Sequence, residues 1–301
     1  MKLARTSFNG ENDKKAYVAE CENDFEKRLD RAVFDIVSKE NNRIIALSGP
    51  TCAGKTTTAN KIVSEFKAMG RCVHTISIDD YYFDRDYLLS VATDEKGIDF
   101  DSVNTIDLQA LKNTVEEIFS EKTVFVPKFD FKSGKRTEMR RIDIDDGDIF
   151  MFEGIQAVYP EVTALLGKHS YVSVFISVLQ PLQVGECTYQ PEELRLLRRL
   201  VRDYNFRNAS PEFTLKLWQN VRKNEEANIF PYADKCDVII DSLMPYEINV
   251  LKPYIKPILR TIHPTSEYYE FATREVKKLA HVDYISKRYI PENSVYHEFL
   301  G

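Results

Sequence analysis

The sequence is poor in the features that mark membrane-spanning, exported or disulfide-bonded proteins. Its longest strongly apolar run, near Tyr171–Leu179, is far too short to cross a bilayer. The first 15 residues lack the apolar core of a signal peptide. The five cysteines are scattered, odd in number and without the spacing of a zinc site. We therefore expect a reduced, cytoplasmic protein that makes no contact with a membrane.

A large excess of charge of one sign is also missing. Lysine and arginine total 41 against 47 aspartates and glutamates, which leaves a formal net charge of −6. This balance gives no electrostatic reason to expect nucleic acid as a partner. The 301 residues, 43% of them hydrophobic, suit one large α/β domain with appendages or two small domains. No internal repeat or low-complexity linker is apparent.

Apolar segments of strand length alternate with helical patterns along most of the chain. Strands are predicted at 43–48, 73–78, 148–153, 171–179 and 237–241. Helices are predicted at 15–40, 55–69, 105–120, 191–208 and 211–228. This alternation predicts an α/β fold with a mostly parallel, five-stranded sheet covered on both faces. Two apolar stretches around Lys132-Ser-Gly-Lys135 predict a β-hairpin that projects from this core.

A glycine-containing segment joins the first of these strands to the helix that follows. It reads Gly49-Pro-Thr-Cys-Ala-Gly-Lys-Thr56 and matches G-x-x-x-x-G-K-S/T, in which backbone N–H groups turn toward phosphates. Lys55 can then reach the β- and γ-phosphates, and the Thr56 hydroxyl can ligate Mg²⁺. The motif predicts a three-layer P-loop NTPase fold that binds a nucleoside triphosphate with Mg²⁺. The expected nucleotide contacts are Gly49, Pro50, Thr51, Cys52, Ala53, Gly54, Lys55, Thr56 and Thr57.

Carboxylates follow two of the predicted strands at the edge where ligands gather in an open α/β sheet. Asp79 comes after the second strand, in Ser77-Ile-Asp-Asp-Tyr-Tyr82, and Glu153 ends the strand at 148–153. These are the places for a general base and for a magnesium ligand. An acidic pair alone would favour a turn or helix cap, but its position beside a P-loop strand favours the catalytic interpretation. Glu153 could equally be a strand-terminal residue that is hydrogen-bonded to a loop.

Arginines recur at helical spacing on the predicted helix 191–208. They are Arg195, Arg198, Arg199 and Arg202, with Arg207 just beyond. Like charges on one face destabilise a helix, so this face is expected to meet an anion. We favour a lid that closes over the triphosphate. The alternative is a solvated face with Glu192, Glu193 and Asp203 as partners.

Taken in order, these segments resemble the uridine kinase/phosphoribulokinase family over about residues 43–245. The matching pieces are 49–57, 77–82, Asp99-Phe-Asp101, Pro127-Lys-Phe-Asp-Phe131, 152–155 and 198–203. The tail resembles bacterial nucleoside kinases whose kinase part follows a threonyl-tRNA-synthetase-like region, at 228–231, 246–253, 290–294 and 298–301. Only about forty residues precede the P-loop, so we expect that extra region to be absent from this chain.

The resemblance implies a kinase that uses ATP or GTP with Mg²⁺ and transfers the γ-phosphoryl group to the 5′-hydroxyl of a nucleoside. It implies three regions: an N-terminal helical extension at 1–42, a kinase domain at 43–245 and a C-terminal helical segment at 246–301. Within the kinase domain the hairpin spans about 122–144 and the arginine lid about 191–210. The expected partner is a small-molecule acceptor, and a homo-oligomer is left open.

The resemblance also implies roles for individual residues. Asp79 would be the base, acting with Lys55, and Arg202 and Arg207 would touch phosphate from the lid. Mg²⁺ would lie among Thr56, Asp79 and Glu153. Asp101 would hold the ribose hydroxyls, with Arg199 nearby.

Recognition of the base departs from the family pattern. A Tyr and a His of the hairpin are replaced by Phe129 and Gly134, and an Arg and a Gln beyond the arginine helix by Ala209 and Leu217. A site without hydrogen-bonding groups discriminates poorly between bases. Phe129 can still stack on a base, so Phe129, Arg136 and Tyr82 complete the expected acceptor contacts.

Three other classes of function compete with a nucleoside kinase. A sugar-phosphate or other alcohol kinase is supported by positive charge on the hairpin, from Lys128, Lys132, Lys135 and Arg136. A binding module without catalysis would predict the loss of Lys55, Thr56, Asp79 or Glu153, all of which are present. A GTPase switch should carry N-K-x-D, and Asn60-Lys-Ile-Val63 lacks the aspartate.

Overall fold

The computed structural model describes residues 1–39, 42–91 and 101–301. Its strands are β1 (Lys2–Ala4), β2 (Ile44–Ser48), β3 (Val73–Ser77), β4 (Thr123–Asp130), β5 (Lys135–Asp143), β6 (Ile149–Glu153), β7 (Tyr171–Ser177), β8 (Leu182–Val184), β9 (Cys187–Tyr189) and β10 (Val238–Asp241). Its helices are α1 (Glu11–Val37), α2 (Lys55–Ala68), α3 (Arg85–Val91), α4 (Leu108–Ser120), α5 (Pro160–Leu166), α6 (Pro191–Arg207), α7 (Pro211–Asn224), α8 (Phe230–Ala233), α9 (Glu247–Arg260), α10 (Tyr269–Lys278) and α11 (His297–Leu300).

A five-stranded parallel sheet lies at the centre, in the order β10-β7-β2-β6-β3. Its middle strand, β2, is buried at all five positions, as expected for a strand covered on both faces. The predicted α/β fold and the five predicted strands are confirmed. Because every strand of this sheet is parallel, their carboxyl ends share one edge, and the loops that follow β2, β3 and β6 meet there.

The N-terminal helix α1 packs beside α2 and β10. Its buried side chains recur every three or four residues, from Tyr17 through Phe25 to Ile36, which is the pattern that predicted it. The helix begins at Glu11, four residues before the predicted start, after Gly10 with φ +91°. Glu11 and Asp13 in its first turn are favourable near the positive end of the helix. Lys61 of α2 pairs with Glu26 and Asp30 of α1 and joins the two helices.

The predicted hairpin is formed by β4 and β5, with Thr123 opposite Asp143 and a turn at Gly134, where φ is +71°. One face of the hairpin is buried, through Val124, Val126 and Ile142. These side chains share a hydrophobic core with α4, so the hairpin is anchored along its inner face.

A second small sheet, β1-β8-β9, was not predicted. Lys2–Ala4 pairs parallel with Leu182–Val184, which in turn pairs antiparallel with Cys187–Tyr189. Each strand has three residues, which is too short to produce a recognisable alternation of apolar and polar side chains.

Residues 246–301 pack on the same core as the central sheet. The inner face of α9 is buried against α6, and Val295, Tyr296 and Phe299 belong to the main hydrophobic cluster. This packing brings the last helix, α11, beside α6 and the loop after β2. Among the helices of the described ranges, none has both the length and the apolar character needed to cross a membrane.

Candidate active site

The loop between β2 and α2 has the geometry that its sequence motif predicts. Cys52 and Gly54 have positive φ angles of 58° and 98°, which turn the backbone around a concave surface. A Cβ atom on Gly49 would collide with the carbonyl oxygen of Ile176, and one on Gly54 would lie 2.6 Å from a methyl group of Val295. Both glycines are therefore required by close packing, and at Gly54 also by the positive φ.

Lys55 and Thr57 lie in the first turn of α2, beside this loop. The Lys55 Nζ donates to the carbonyl oxygens of Gly49, at 2.8 Å, and Pro50, at 3.2 Å. The backbone N–H and the hydroxyl of Thr57 donate to Glu298, at 2.7 and 2.6 Å. The start of α2 thus presents a cation and helix N–H groups together, which suits a polyphosphate.

One cavity of about 430 Å³ adjoins the loop and contains most of the residues predicted from the sequence. Its wall includes Thr51, Cys52, Ala53, Gly54, Lys55, Thr56, Asp79, Asp101, Glu153, Arg199, Arg202 and Arg207. Gly154, Ile155, Val221 and Glu298 complete it. The three loops that follow β2, β3 and β6 therefore converge at one edge of the sheet, as the parallel topology requires.

Two carboxylates face each other in this cavity. Asp79 lies on a short 3₁₀ turn after β3, and Glu153 ends β6, where Ser77 is its neighbour across the sheet. Burial, reinforced by the negative charge of Glu153, raises the pKa of Asp79 to about 6, although Lys55 acts in the opposite direction. Two close carboxylates with a nearby hydroxyl, that of Thr56, are oxygen ligands suited to Mg²⁺.

Tyr82 lies behind Asp79 and is almost fully buried. Its hydroxyl is hydrogen-bonded to the Asp79 carboxylate and accepts a bond from Gln156 Nε2 at 3.2 Å. This chain fixes the orientation of the carboxylate from the side opposite the cavity. Burial strongly raises the pKa of the Tyr82 hydroxyl, so it stays protonated and acts as a donor.

Three arginines from α6 form the cationic wall. Asp203 holds all three: it accepts from Arg202 Nη2 at 2.7 Å and Arg199 Nε at 3.1 Å, and it lies 3.6 Å from Arg207 Nη1. Burial and the neighbouring charge of Arg202 lower the pKa of Arg207. Positive charge is therefore crowded here beyond what one carboxylate neutralises, which suits an anionic ligand.

The prediction that four arginines of α6 share one ligand-facing side is wrong for Arg195 and Arg198. Both side chains are buried, Arg195 against Glu225 at 2.6 Å and Arg198 against Glu247 at 2.9 Å. They also donate to the carbonyl oxygens of Thr51 and Cys52 and so support the loop from behind. The alternative of a solvated face is wrong for these two arginines, since their charges are neutralised inside the protein, but Asp203, one of its expected partners, does pair with Arg199, Arg202 and Arg207.

Phe129 and Arg136, which were expected to contact the acceptor, are not among the described residues that line the P-loop cavity. Phe129 is buried in the hairpin, with its ring edge-on to Tyr82 at 5.6 Å. Arg136 donates to the carbonyl oxygens of Tyr81 and Tyr82, at 3.0 Å each, and to Asp107 at 3.1 Å. Its guanidinium group is used to hold the hairpin against the turn that carries Asp79.

Asp101 lines the cavity, and its backbone carbonyl oxygen accepts a hydrogen bond from Tyr159 at 3.1 Å. The other two residues of its motif, Asp99 and Phe100, lie outside the described residues. Glu298 was missed as a site residue, and Asp203 was predicted only as a partner of a solvated arginine face. No local signal connects Glu298 with Thr57, 241 residues away.

Comparison with known proteins identifies the family to which the sequence is similar. The model of the phosphoribulokinase/uridine kinase family matches residues 44–249. A uridine kinase of Ureaplasma urealyticum serovar 10 is 29% identical over 177 residues, 59% of this chain and 76% of that protein. A uridine kinase of Clostridium novyi is 27% identical over 220 residues, 72% of this chain and 96% of that protein. The crystal structure of a putative fructose transport system kinase from Silicibacter sp. TM1040 shares the fold, with a TM-score of 0.53, 14% identity and coverage of 70% of this chain and 98% of that one.

Proposed function

The chain belongs to the phosphoribulokinase/uridine kinase family, and we propose that it is a Mg²⁺- and ATP-dependent kinase that phosphorylates the 5′-hydroxyl of a nucleoside. One observation carries the proposal: a single cavity joins the P-loop, two carboxylates at strand ends and three arginines. Phosphoryl transfer depends on positioning and on charge neutralisation, and these groups supply both. The named uridine kinases among the relatives support a nucleoside as the acceptor.

The P-loop and the arginines would bind the donor. Backbone N–H groups between Thr51 and Thr57 would hold the phosphates, and Lys55 would contact the β- and γ-phosphates. Arg202 and Arg207 would neutralise charge on the transferring group, because they lie in the cavity wall and share one carboxylate, that of Asp203, with Arg199. Asp203 keeps the three guanidinium groups together.

Asp79 would accept the proton of the acceptor hydroxyl. A carboxylate whose pKa is raised to about 6 is a better proton acceptor than an ordinary aspartate, and at neutral pH it is still ionised. Tyr82 is a positioning residue, since it holds Asp79 from behind. Asp101 would bind sugar hydroxyls, with Arg199 nearby.

Mg²⁺ would be held by Thr56, Asp79 and Glu153. The fit follows from the structure, because two carboxylates that repel each other share the cavity with a hydroxyl, and a cation relieves that repulsion. When bound, the ion supplies positive charge that neutralises the phosphate oxygens. The role of the side chains is to present the oxygen ligands and to hold the proton acceptor in place.

A nucleoside is favoured over a sugar phosphate by the hairpin. A phosphorylated acceptor would need free cations near Asp101, and two of the four candidates are already paired within the protein. Lys135 lies 3.1 Å from Asp86, and Arg136 lies 3.1 Å from Asp107.

The five cysteines are all free, which supports a reducing compartment such as the cytoplasm.

The proposal is tested by ADP release from Mg-ATP in the presence of nucleosides, pentose phosphates and pantothenate in turn. Stimulation by one nucleoside is expected, and it should vanish in Asp79→Asn. Asp80→Asn is a matched charge control, because Asp80 lies outside the described cavity wall and accepts from the Phe129 N–H. Stimulation by a pentose phosphate alone, or by none of the compounds, would refute a nucleoside kinase.

A further inference from the structure

The carboxylate of Glu298 lies in the P-loop cavity, although it belongs to α11. One oxygen, Oε1, accepts two hydrogen bonds from Thr57, from the backbone N–H at 2.7 Å and from the hydroxyl at 2.6 Å. Thr57 is the third residue of α2, so its N–H is one of the donors that the helix leaves free. These are the donors that a P-loop offers to phosphate oxygens. The negatively charged carboxylate of Glu298 therefore lies where the phosphates of the donor are expected.

This contact is built into the packing of the segment that carries Glu298. Val295, Tyr296 and Phe299 are all buried in the main core. A methyl group of Val295 packs directly on Gly54, and the Tyr296 ring lies 5.5 Å from the guanidinium group of Arg198. The segment 294–300, which we term the plug segment, therefore covers one side of the P-loop and sets the position of Glu298.

The contact conflicts with a bound polyphosphate. An N–H group used by a carboxylate is not available at full strength to a phosphate oxygen, and two anions that lie close together repel each other. Helix N–H groups and the helix dipole favour either anion alone, but not both at the same position. A nucleotide in the P-loop must therefore move Glu298 away from Thr57 or bind more weakly.

We propose that Glu298 is an internal competitor for the phosphate site and determines the affinity of the enzyme for its nucleotide. The inference rests on the proposed function, since it needs a polyphosphate donor in the P-loop. It differs from simple capping of α2, because a cap would remain in place and would assist nucleotide binding by ordering the helix start. Removal of the charge separates the two roles, since competition predicts tighter binding and capping predicts weaker binding.

The test compares Glu298→Gln with the full-length parent. Glutamine keeps the volume and an acceptor oxygen but removes the charge, so the fold is retained. We expect the Kd for ADP and for ATP to fall by about tenfold, the lower end of what one charged hydrogen bond contributes. Glu292→Gln is the matched control, because Glu292 is an exposed acid six residues before Glu298 and lies outside the described wall of the P-loop cavity.

A second measurement needs no variant. Amide hydrogen exchange of the parent protein should rise in the plug segment when ADP saturates the enzyme, because Glu298 loses its partner. An unchanged or weaker affinity in Glu298→Gln, or slower exchange in the plug segment with ADP, would overturn the inference. Both measurements report nucleotide binding without an acceptor, so they stay decisive even if the proposed nucleoside phosphorylation fails.

Discussion

Arg195 and Glu225 form a buried ion pair with two parallel hydrogen bonds, Nη1 to Oε1 at 2.6 Å and Nη2 to Oε2 at 2.7 Å. The pair joins α6 to the π-helical turn Glu225–Ile229 that follows α7. Arg195 Nη1 also donates to the carbonyl oxygen of Thr51 at 3.3 Å. A residue that looks like part of an anion-binding face therefore anchors the phosphate loop through the interior.

Loss of one member of this pair should destabilise the fold. Glu225→Ala leaves Arg195 charged and buried, which costs about 3–5 kcal/mol in the free energy of unfolding. The double variant Arg195→Met, Glu225→Leu should recover most of that loss, because two apolar side chains need no partner. Urea denaturation measures both. Equal stability of Glu225→Ala and the parent would contradict the buried pair.

Asp79→Asn should abolish turnover while leaving the fold intact. Loss of a general base lowers kcat by about 10²–10⁴-fold. Because Asp79 is buried beside the like charge of Glu153, its replacement by a neutral side chain should not lower the melting temperature of the metal-free protein. ADP release and thermal melting are the two measurements. A variant that keeps its activity would exclude Asp79 as the base.

Activity should depend on Mg²⁺ and be lost with excess EDTA. Glu153→Gln should raise the Mg²⁺ concentration for half-maximal activity by about tenfold or more. Loss of a residue that only hydrogen-bonds a metal ligand already weakens metal binding by about this factor, and loss of a charged ligand should weaken it at least as much. Excess Mg²⁺ should restore part of the rate. Glu161→Gln, an exposed acid on α5, is the control. A Mg²⁺ requirement that is the same in both variants would remove Glu153 from the metal site.

Arg136→Met should affect stability more than substrate affinity. The guanidinium group bonds Asp107 and two backbone carbonyl oxygens, and loss of such charged hydrogen bonds costs about 1.5–3 kcal/mol each. We expect a lower urea midpoint, while the KM for the acceptor changes by less than about threefold under conditions where the variant is folded. A large rise in KM without a loss of stability would restore Arg136 to the acceptor site.

Glu22 links α1 to Tyr246 and Ser294, whose hydroxyls both donate to its carboxylate. Burial raises its pKa above the ordinary value, against the effect of these bonds. The folded protein therefore binds the proton more tightly than the unfolded chain, and the Glu22 contribution to stability rises as the pH falls through the folded pKa toward the ordinary glutamate range.

Glu22→Gln should accordingly be at least as stable as the parent at pH 7, and this advantage should shrink as the pH approaches the ordinary glutamate pKa, about 4.3. Urea denaturation at a series of pH values measures the difference. Glu20→Gln, an exposed acid on the same helix, should show no such trend. If the variant is less stable than the parent at pH 7 and the difference disappears at low pH, the prediction is wrong, because folding would then lower the pKa of Glu22.

The sequence alone determined the features that depend on neighbouring residues. The P-loop requires glycines, a lysine and a threonine at set spacing within eight residues, and the five strands of the central sheet are short apolar runs. The sequence also predicted that Asp79 and Glu153 lie close together, because parallel strands end at a common edge of the sheet. These inferences need no knowledge of which distant side chains meet.

Only the tertiary structure decided how the buried charges are shared. Arg195 and Arg198 have the same spacing and charge as Arg199 and Arg202, yet their partners, Glu225 and Glu247, come from other elements. The contact of Glu298 with Thr57 likewise joins residues 241 positions apart. A charge in the interior must be neutralised by whichever group the packing brings to it, and no local pattern encodes that choice.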